Sequence, residues 1–130
     1  MEQPDFLTWE IVAALHARSL ERFGGLDGVR DRGGLESAMG AAENTFFYGG
    51  GDLSDVAAAY AYHLAQSQGF LDGNKRTAVI CALTFLENNG CPGNVDELEL
   101  YDAMIAIADR RMDKAGLAAV LRRQFPRRSG

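Results

Sequence analysis

The 130-residue chain predicts an all-α bundle around one central buried helix, with a small β-hairpin as a flap. Apolar residues recur at helical spacing through most of the chain, and the intervals between those stretches hold capping side chains or glycine clusters. A third observation sets the centre. Residues 78–86 are apolar apart from Thr84, too long a run for an ordinary buried strand, rich in Ala and Leu, and closed by the stop signal Asn89-Gly90. A helix that is apolar all round belongs inside a bundle.

Taken in order, Thr8 caps a first helix with Ile11, Val12, Leu15 and Leu20, and Ala14, as its apolar stripe; it ends at Phe23-Gly24-Gly25. Trp9 and His16 on that helix read as structural, since nothing nearby completes a catalytic set. Residues 24–34 hold five glycines and no helical period, which predicts a loop with a short hairpin around Val29. That loop is longer than the usual helix connection, which favours a binding flap. A second helix runs from Leu35 through Glu43 toward Phe46-Phe47-Tyr48 and breaks at Gly49-Gly50-Gly51. Asp52 or Ser54 opens a third, alanine-rich helix carrying Val56, Tyr60, His63 and Leu64, able to lie close against the buried one. A fifth helix, 96–109, presents Leu98, Tyr101, Met104, Ile105 and Ala108 as its apolar side, and Asp113 caps a last one with Leu117, Val120 and Leu121 inward. The tail holds Arg122, Arg123, Arg127 and Arg128, expected as a solvated, frayed end.

With 47% hydrophobic residues the chain is one domain, 1–130, its core spanning about 8–122 and its basic tail 122–130. No apolar run approaches the ~20 residues that span a bilayer, and Met-Glu-Gln-Pro-Asp lacks the regions of a signal peptide, so a cytoplasmic protein without membrane contact is expected. Cys81 and Cys91 are then expected as structural thiols. A net charge of −5 argues against nucleic acid as the main partner.

The chemistry gathers at Asp72-Gly73-Asn74-Lys75-Arg76, just where the buried helix starts. First-turn N–H groups attract anions, Gly73 lets a backbone come close, and Asn74, Lys75 and Arg76 add an amide and two cations. Asp72 is discordant there. One carboxylate among anion-binding groups makes sense as a ligand for Mg²⁺ carried in with a polyphosphate; the plainer account is an Asp N-cap beside solvated cations.

Gly69-Phe70-Leu71-Asp72-Gly73-Asn74-Lys75-Arg76-Thr77, followed by an apolar helix ending Phe85-Leu86-Glu87-Asn88-Asn89-Gly90, resembles the active-site motif of the Fic/Doc (Fido) superfamily. Its Lys75-Arg76-Thr77 ending is similar to the Doc (death-on-curing) branch, and further Doc-like stretches occur at Arg22-Phe23-Gly24-Gly25, at 28–38 and at 61–65. The resemblance implies a Fido-type bundle in which Phe70 anchors the loop, Asp72 binds Mg²⁺, and Gly73 with Asn74 forms an anion nest. It implies that Lys75 and Arg76 hold the phosphates of ATP or another nucleotide, and that Gly28, Val29 and Arg30 form a flap docking a protein target as an added strand. Doc-type enzymes transfer phosphate from ATP to a protein hydroxyl, Fic enzymes a nucleotide, and Doc toxins are held silent by a separate antitoxin.

One departure bears on turnover. The family motif begins with a His, usually followed by Pro, and that His is the general base; here Gln68 and Gly69 stand in those places. A positioned base contributes ~10²–10⁴ in rate. His63 is no substitute, because five residues at ~100° each put it about 140° from Gln68 around the axis. The readings are a transferase with a base-free catalytic set of Gln68, Asp72, Asn74 and Arg76, a catalytically silent binding protein of the same fold, or a chain in which Gln68 replaces a natural His. Gly69 beside it favours divergence over a single replacement.

Overall fold

The computed structural model describes residues 3–126, which form six α-helices and no sheet. These are α1 (Trp9–Phe23), α2 (Arg32–Phe47), α3 (Leu53–Ser67), α4 (Asn74–Asn88), α5 (Glu97–Ala108) and α6 (Lys114–Gln124). Helix starts follow local chemistry. Thr8, Asp52, Asp96 and Asp113 each accept a hydrogen bond from an N–H in the first turn that follows, and Asp55 returns the favour to the Asp52 N–H in a capping box. At the far end of α4, Gly90 adopts φ 79 and the Cys91 N–H donates to the Leu86 carbonyl at 2.9 Å, the close that Asn89-Gly90 predicts.

The centre of the bundle is α3, not α4. It packs against α2, α4 and α6, and its Val56, Ala57, Ala58, Ala59 and Tyr60 are wholly enclosed. On α4, Ile80, Leu83 and Thr84 stay half-buried. Apolar composition makes a helix buriable, but a run of alanines lets several neighbours approach one axis, and that decides which helix is surrounded. The Tyr60 hydroxyl accepts a hydrogen bond from the Leu7 N–H at 3.0 Å and ties the chain entering α1 to this core; burial pushes its pKa up to about 12.

Two predicted faces are rotated. On α1 the buried residues are Val12, His16 and Ser19, with Ile11, Leu15 and Leu20 half-buried and Ala14 exposed. On α5 they are Leu100, Ala103, Met104, Ala106 and Ile107; Leu98 is 73% exposed, and Ile105 and Ala108 also face solvent. In α5 apolar residues surround much of the axis, so spacing does not select one stripe, and in α1 the buried face includes the polar His16 and Ser19, which apolar spacing does not count. The hairpin is not formed either. Asp31 caps α2 by accepting from the Gly34 N–H at 2.9 Å, so α2 begins three residues earlier than Leu35 and absorbs the second hairpin arm.

The frayed end is corrected in part. Arg122 and Arg123 belong to the last turn of α6, Arg122 paired with Asp52 and Asp55 and Arg123 with Glu99; Arg127 and Arg128 lie outside the described residues. Buried apolar side chains form one cluster from Leu7 to Phe125. Among the described residues no helix is long and apolar enough to cross a membrane.

Candidate functional site

The loop between α3 and α4 is built from inside outward. Phe70 is 1% exposed and lies flat against the His16 ring, centroids 3.7 Å apart and planes within 8°. His16, itself buried, donates from Nε2 to the Asp72 carbonyl at 2.8 Å, an acceptor that assigns the proton to Nε2. Asn74 closes the loop from the other side. Its Oδ1 accepts from the Phe70 N–H and its Nδ2 donates to the Phe70 carbonyl, both at 2.9 Å. The side-chain amide expected to face an anion is therefore committed to the loop, and Asn74 offers a ligand only its backbone N–H.

Gly73 is the N-cap of α4 with φ 76, and no side chain caps the helix. The Asp N-cap account does not hold. Asp72 instead accepts from the Gly73 N–H at 2.9 Å and from the Leu26 N–H at 3.2 Å, drawing the α1–α2 loop to the motif. The two cations diverge. Arg76 Nη2 donates to the Gly24 carbonyl at 3.2 Å, its guanidinium lies 5.0 Å from the Phe23 ring centre, and Nη2 is 3.6 Å from where a Cβ on Gly73 would sit. Lys75 instead lines a hollow of about 220 Å³ with Gln68, Gln66, Met104 and Ile107. A wider hollow of about 970 Å³, edged by Arg110 and Arg111, shares Gln66, Ile107 and Ala108 with it.

The flap segment meets the motif through one antiparallel bridge, Val29 to Phe70. Its hydrogen bonds run from the Arg30 N–H to the Gly69 carbonyl at 2.7 Å and from the Leu71 N–H to the Gly28 carbonyl at 3.0 Å. In such a pair the bridged residues aim their own N–H and C=O groups away from each other. On the Phe70 side Asn74 takes them; Val29, 47% exposed, turns its pair outward. Gly28, Val29 and Arg30 thus form an exposed edge beside the motif without being a hairpin.

Gln68 ends α3 in the left-handed conformation, φ 51, with its side chain exposed and Nε2 donating to the Ala65 carbonyl at 3.1 Å. Gly69 is sterically required: a Cβ there would lie 2.4 Å from Leu35 Cγ and 2.9 Å from the Asp31 carbonyl oxygen. His63 is occupied elsewhere. Its Nε2 accepts from Lys114 Nζ at 2.9 Å, and burial, with the Lys114 charge, lowers its pKa.

Among the described residues no three carboxylate, imidazole or thiol groups gather into a metal site. Asp72 is exposed and lies beside the uncapped start of α4. Residues 6–86 match the Fic/DOC family. The chain belongs to the Fic/DOC family. Among curated Fic/DOC relatives it is 36% identical over 117 residues to "Protein kinase doc" of Escherichia phage P1, covering 89% of this chain and 92% of that protein. It is 40% identical over 107 residues to "Toxin Doc" of Mycolicibacterium smegmatis, covering 76% and 79%.

Within that family frame, His16 is structural as read from the sequence, while its place under the loop and that of Phe23 beside Arg76 were missed. His16 sits four residues after Val12 and so shares its face, but only the fold shows that this face meets Phe70. Phe23 lies in the Doc-like stretch Arg22-Phe23-Gly24-Gly25, but nothing in the sequence places it beside Arg76.

Proposed function

We propose that this chain is a Doc-like phosphotransferase that binds ATP or a similar nucleotide with its phosphates at the start of α4. The observation that carries this is the uncapped α4 N-terminus, with Gly73 at φ 76 and the Arg76 guanidinium beside it. First-turn N–H groups and the helix dipole supply fixed positive potential, and Arg76 adds a planar donor set suited to phosphate. Asp72 would hold one Mg²⁺ together with phosphate oxygens, and bound there the ion neutralises charge on the transferred group. Its carboxylate is already oriented by the Gly73 and Leu26 N–H groups. The relative named a protein kinase supports phosphoryl rather than nucleotidyl transfer.

A protein acceptor would pair with the outward N–H and C=O of Val29 as an added strand, placing its side chain near Phe70 and the loop. The new bond joins the acceptor oxygen to phosphorus as the bridging P–O bond breaks. Gln68 takes no proton, so the site favours an acceptor oxygen that is already ionised or that loses its proton to solvent or phosphate. A second reading rests on the same residue: with Gln68 as the only change in chemistry, the fold would bind nucleotide or target without turnover. A relative named a toxin supports a separate antitoxin partner, and a cytoplasmic setting belongs to the same reading.

Calorimetric titration with ATP, with and without Mg²⁺, tests the site. Binding that needs Mg²⁺ and falls at least tenfold in Arg76→Ala is expected, since charge-assisted hydrogen bonds are worth about 1.5–3 kcal/mol. Absence of binding, or equal affinity in the variant, would reject the phosphate site.

A further inference from the structure

Phe23 is the last residue of α1 and 52% exposed, so the core does not require an aromatic ring there. It is nevertheless flanked by two guanidinium groups, Arg76 at 5.0 Å and Arg22 at 5.3 Å from the ring centre. Gly24, the next residue, takes φ 78 at the C-cap and aims its carbonyl at Arg76 Nη2, 3.2 Å away. A Cβ at Gly24 would touch nothing, so that glycine serves the turn alone. Arg76 Nε is meanwhile buried with no protein partner. The guanidinium is thus held by a ring face, one carbonyl and the helix it grows from, with Nη2 against Gly73.

We propose that Phe23 and Gly24 form a cradle that presets the Arg76 guanidinium at the phosphate end of α4 before any ligand arrives, which makes Phe23 a positioning residue of the site. An arginine free to wander loses rotamer freedom each time it captures a phosphate. One already stacked has lost most of it on folding, and a π face attracts the cation without neutralising it or using its N–H donors. An aromatic side chain is needed for this, and a tyrosine ring serves as well as a phenylalanine ring. This inference rests on the phosphate-site reading above and adds the residue that orders it.

The test combines ATP·Mg²⁺ calorimetry with NMR of the Arg76 Nε–Hε group in the full chain. Phe23→Leu is expected to weaken ATP roughly three- to tenfold, the range of a partly desolvated cation–π contact, and to lower the order parameter of the Arg76 Nε–Hε signal. Phe23→Tyr should restore both readouts. In an Arg76→Ala background Phe23→Leu should change affinity no further. An unmoved Arg76 signal, or an equal loss in the Arg76→Ala background, overturns the cradle while leaving the phosphate site standing. A parent chain that binds no ATP at all overturns the phosphate site, and the cradle's role with it.

Discussion

On the proposed reading, Gln68 decides what the site does with a nucleotide. It leaves α3 in the left-handed conformation with an exposed side chain, so a larger ring at this position meets no packing obstacle. The loop beyond it is held independently, by Phe70 against His16 and by Asn74 on the Phe70 backbone. Gln68→His is therefore expected to introduce a base on an undisturbed scaffold. An imidazole with an unperturbed pKa of about 6.5 is mostly neutral at neutral pH and accepts a proton. Label transfer from ATP to a protein hydroxyl should rise by roughly 10²-fold or more. A slower His variant of an already efficient parent would instead show that the acceptor needs no base. The motif itself is legible in sequence because its glycine, amide and charged residues are consecutive at a helix start. Their partners are not: Asp72 meets the Leu26 N–H and Arg76 the Gly24 carbonyl from far along the chain, and only the folded loop shows that the Asn74 amide closes on Phe70 rather than facing a ligand.

The flap makes its case as an element. Its bridge to the motif uses the Arg30 N–H and the Gly28 carbonyl, and leaves Val29's own groups on the open side. Val29→Pro removes the outward donor while keeping both inward bonds. Modification of a protein target should fall below detection, while calorimetric affinity for ATP·Mg²⁺ stays within about twofold, as expected when strand addition supplies the recognition. Loss of both, or of neither, would show that the edge is not where the target docks. The glycines of residues 24–34 announced a loop; that it holds one edge at 28–30 and no returning arm follows from Asp31 starting α2 early.

At the scale of the molecule, α6 is locked to α3 by charge. Arg122 donates to Asp52 at 2.9 and 3.1 Å and to Asp55 at 3.1 Å, and these bonds hold the Asp52 carboxyl down at about 2, below the ordinary 3.8. A carboxylate with a depressed folded pKa contributes stability that is present above its unfolded value and is lost as pH falls through the folded one. The window here is about pH 4 down to about 2. Because the pair is partly open to solvent, the contribution is ~1 kcal/mol rather than the full shift. Asp52→Asn keeps a capping oxygen but not the charge, so urea unfolding at neutral pH should show that ~1 kcal/mol loss and a flatter acid limb. An unchanged acid limb would place the acid sensitivity elsewhere.

Helix number, most helix boundaries, the caps at Thr8 and Asp113, and the motif at the start of α4 were determined by the sequence alone, because each depends on side chains within a turn or two of the backbone they act on, whereas the choice of Asp52 over Ser54 as the cap of α3 needed the structure. Which helix is surrounded, which faces of α1 and α5 turn inward, and whether residues 28–34 pair with themselves were decided only by the tertiary structure. The same holds for His16 under the loop, for Phe23 beside Arg76 and for the tight fit of Gly69 on Leu35. These partners are far apart in the chain, and local chemistry carries no information about which of several apolar or cationic groups will meet once α3 has gathered its neighbours.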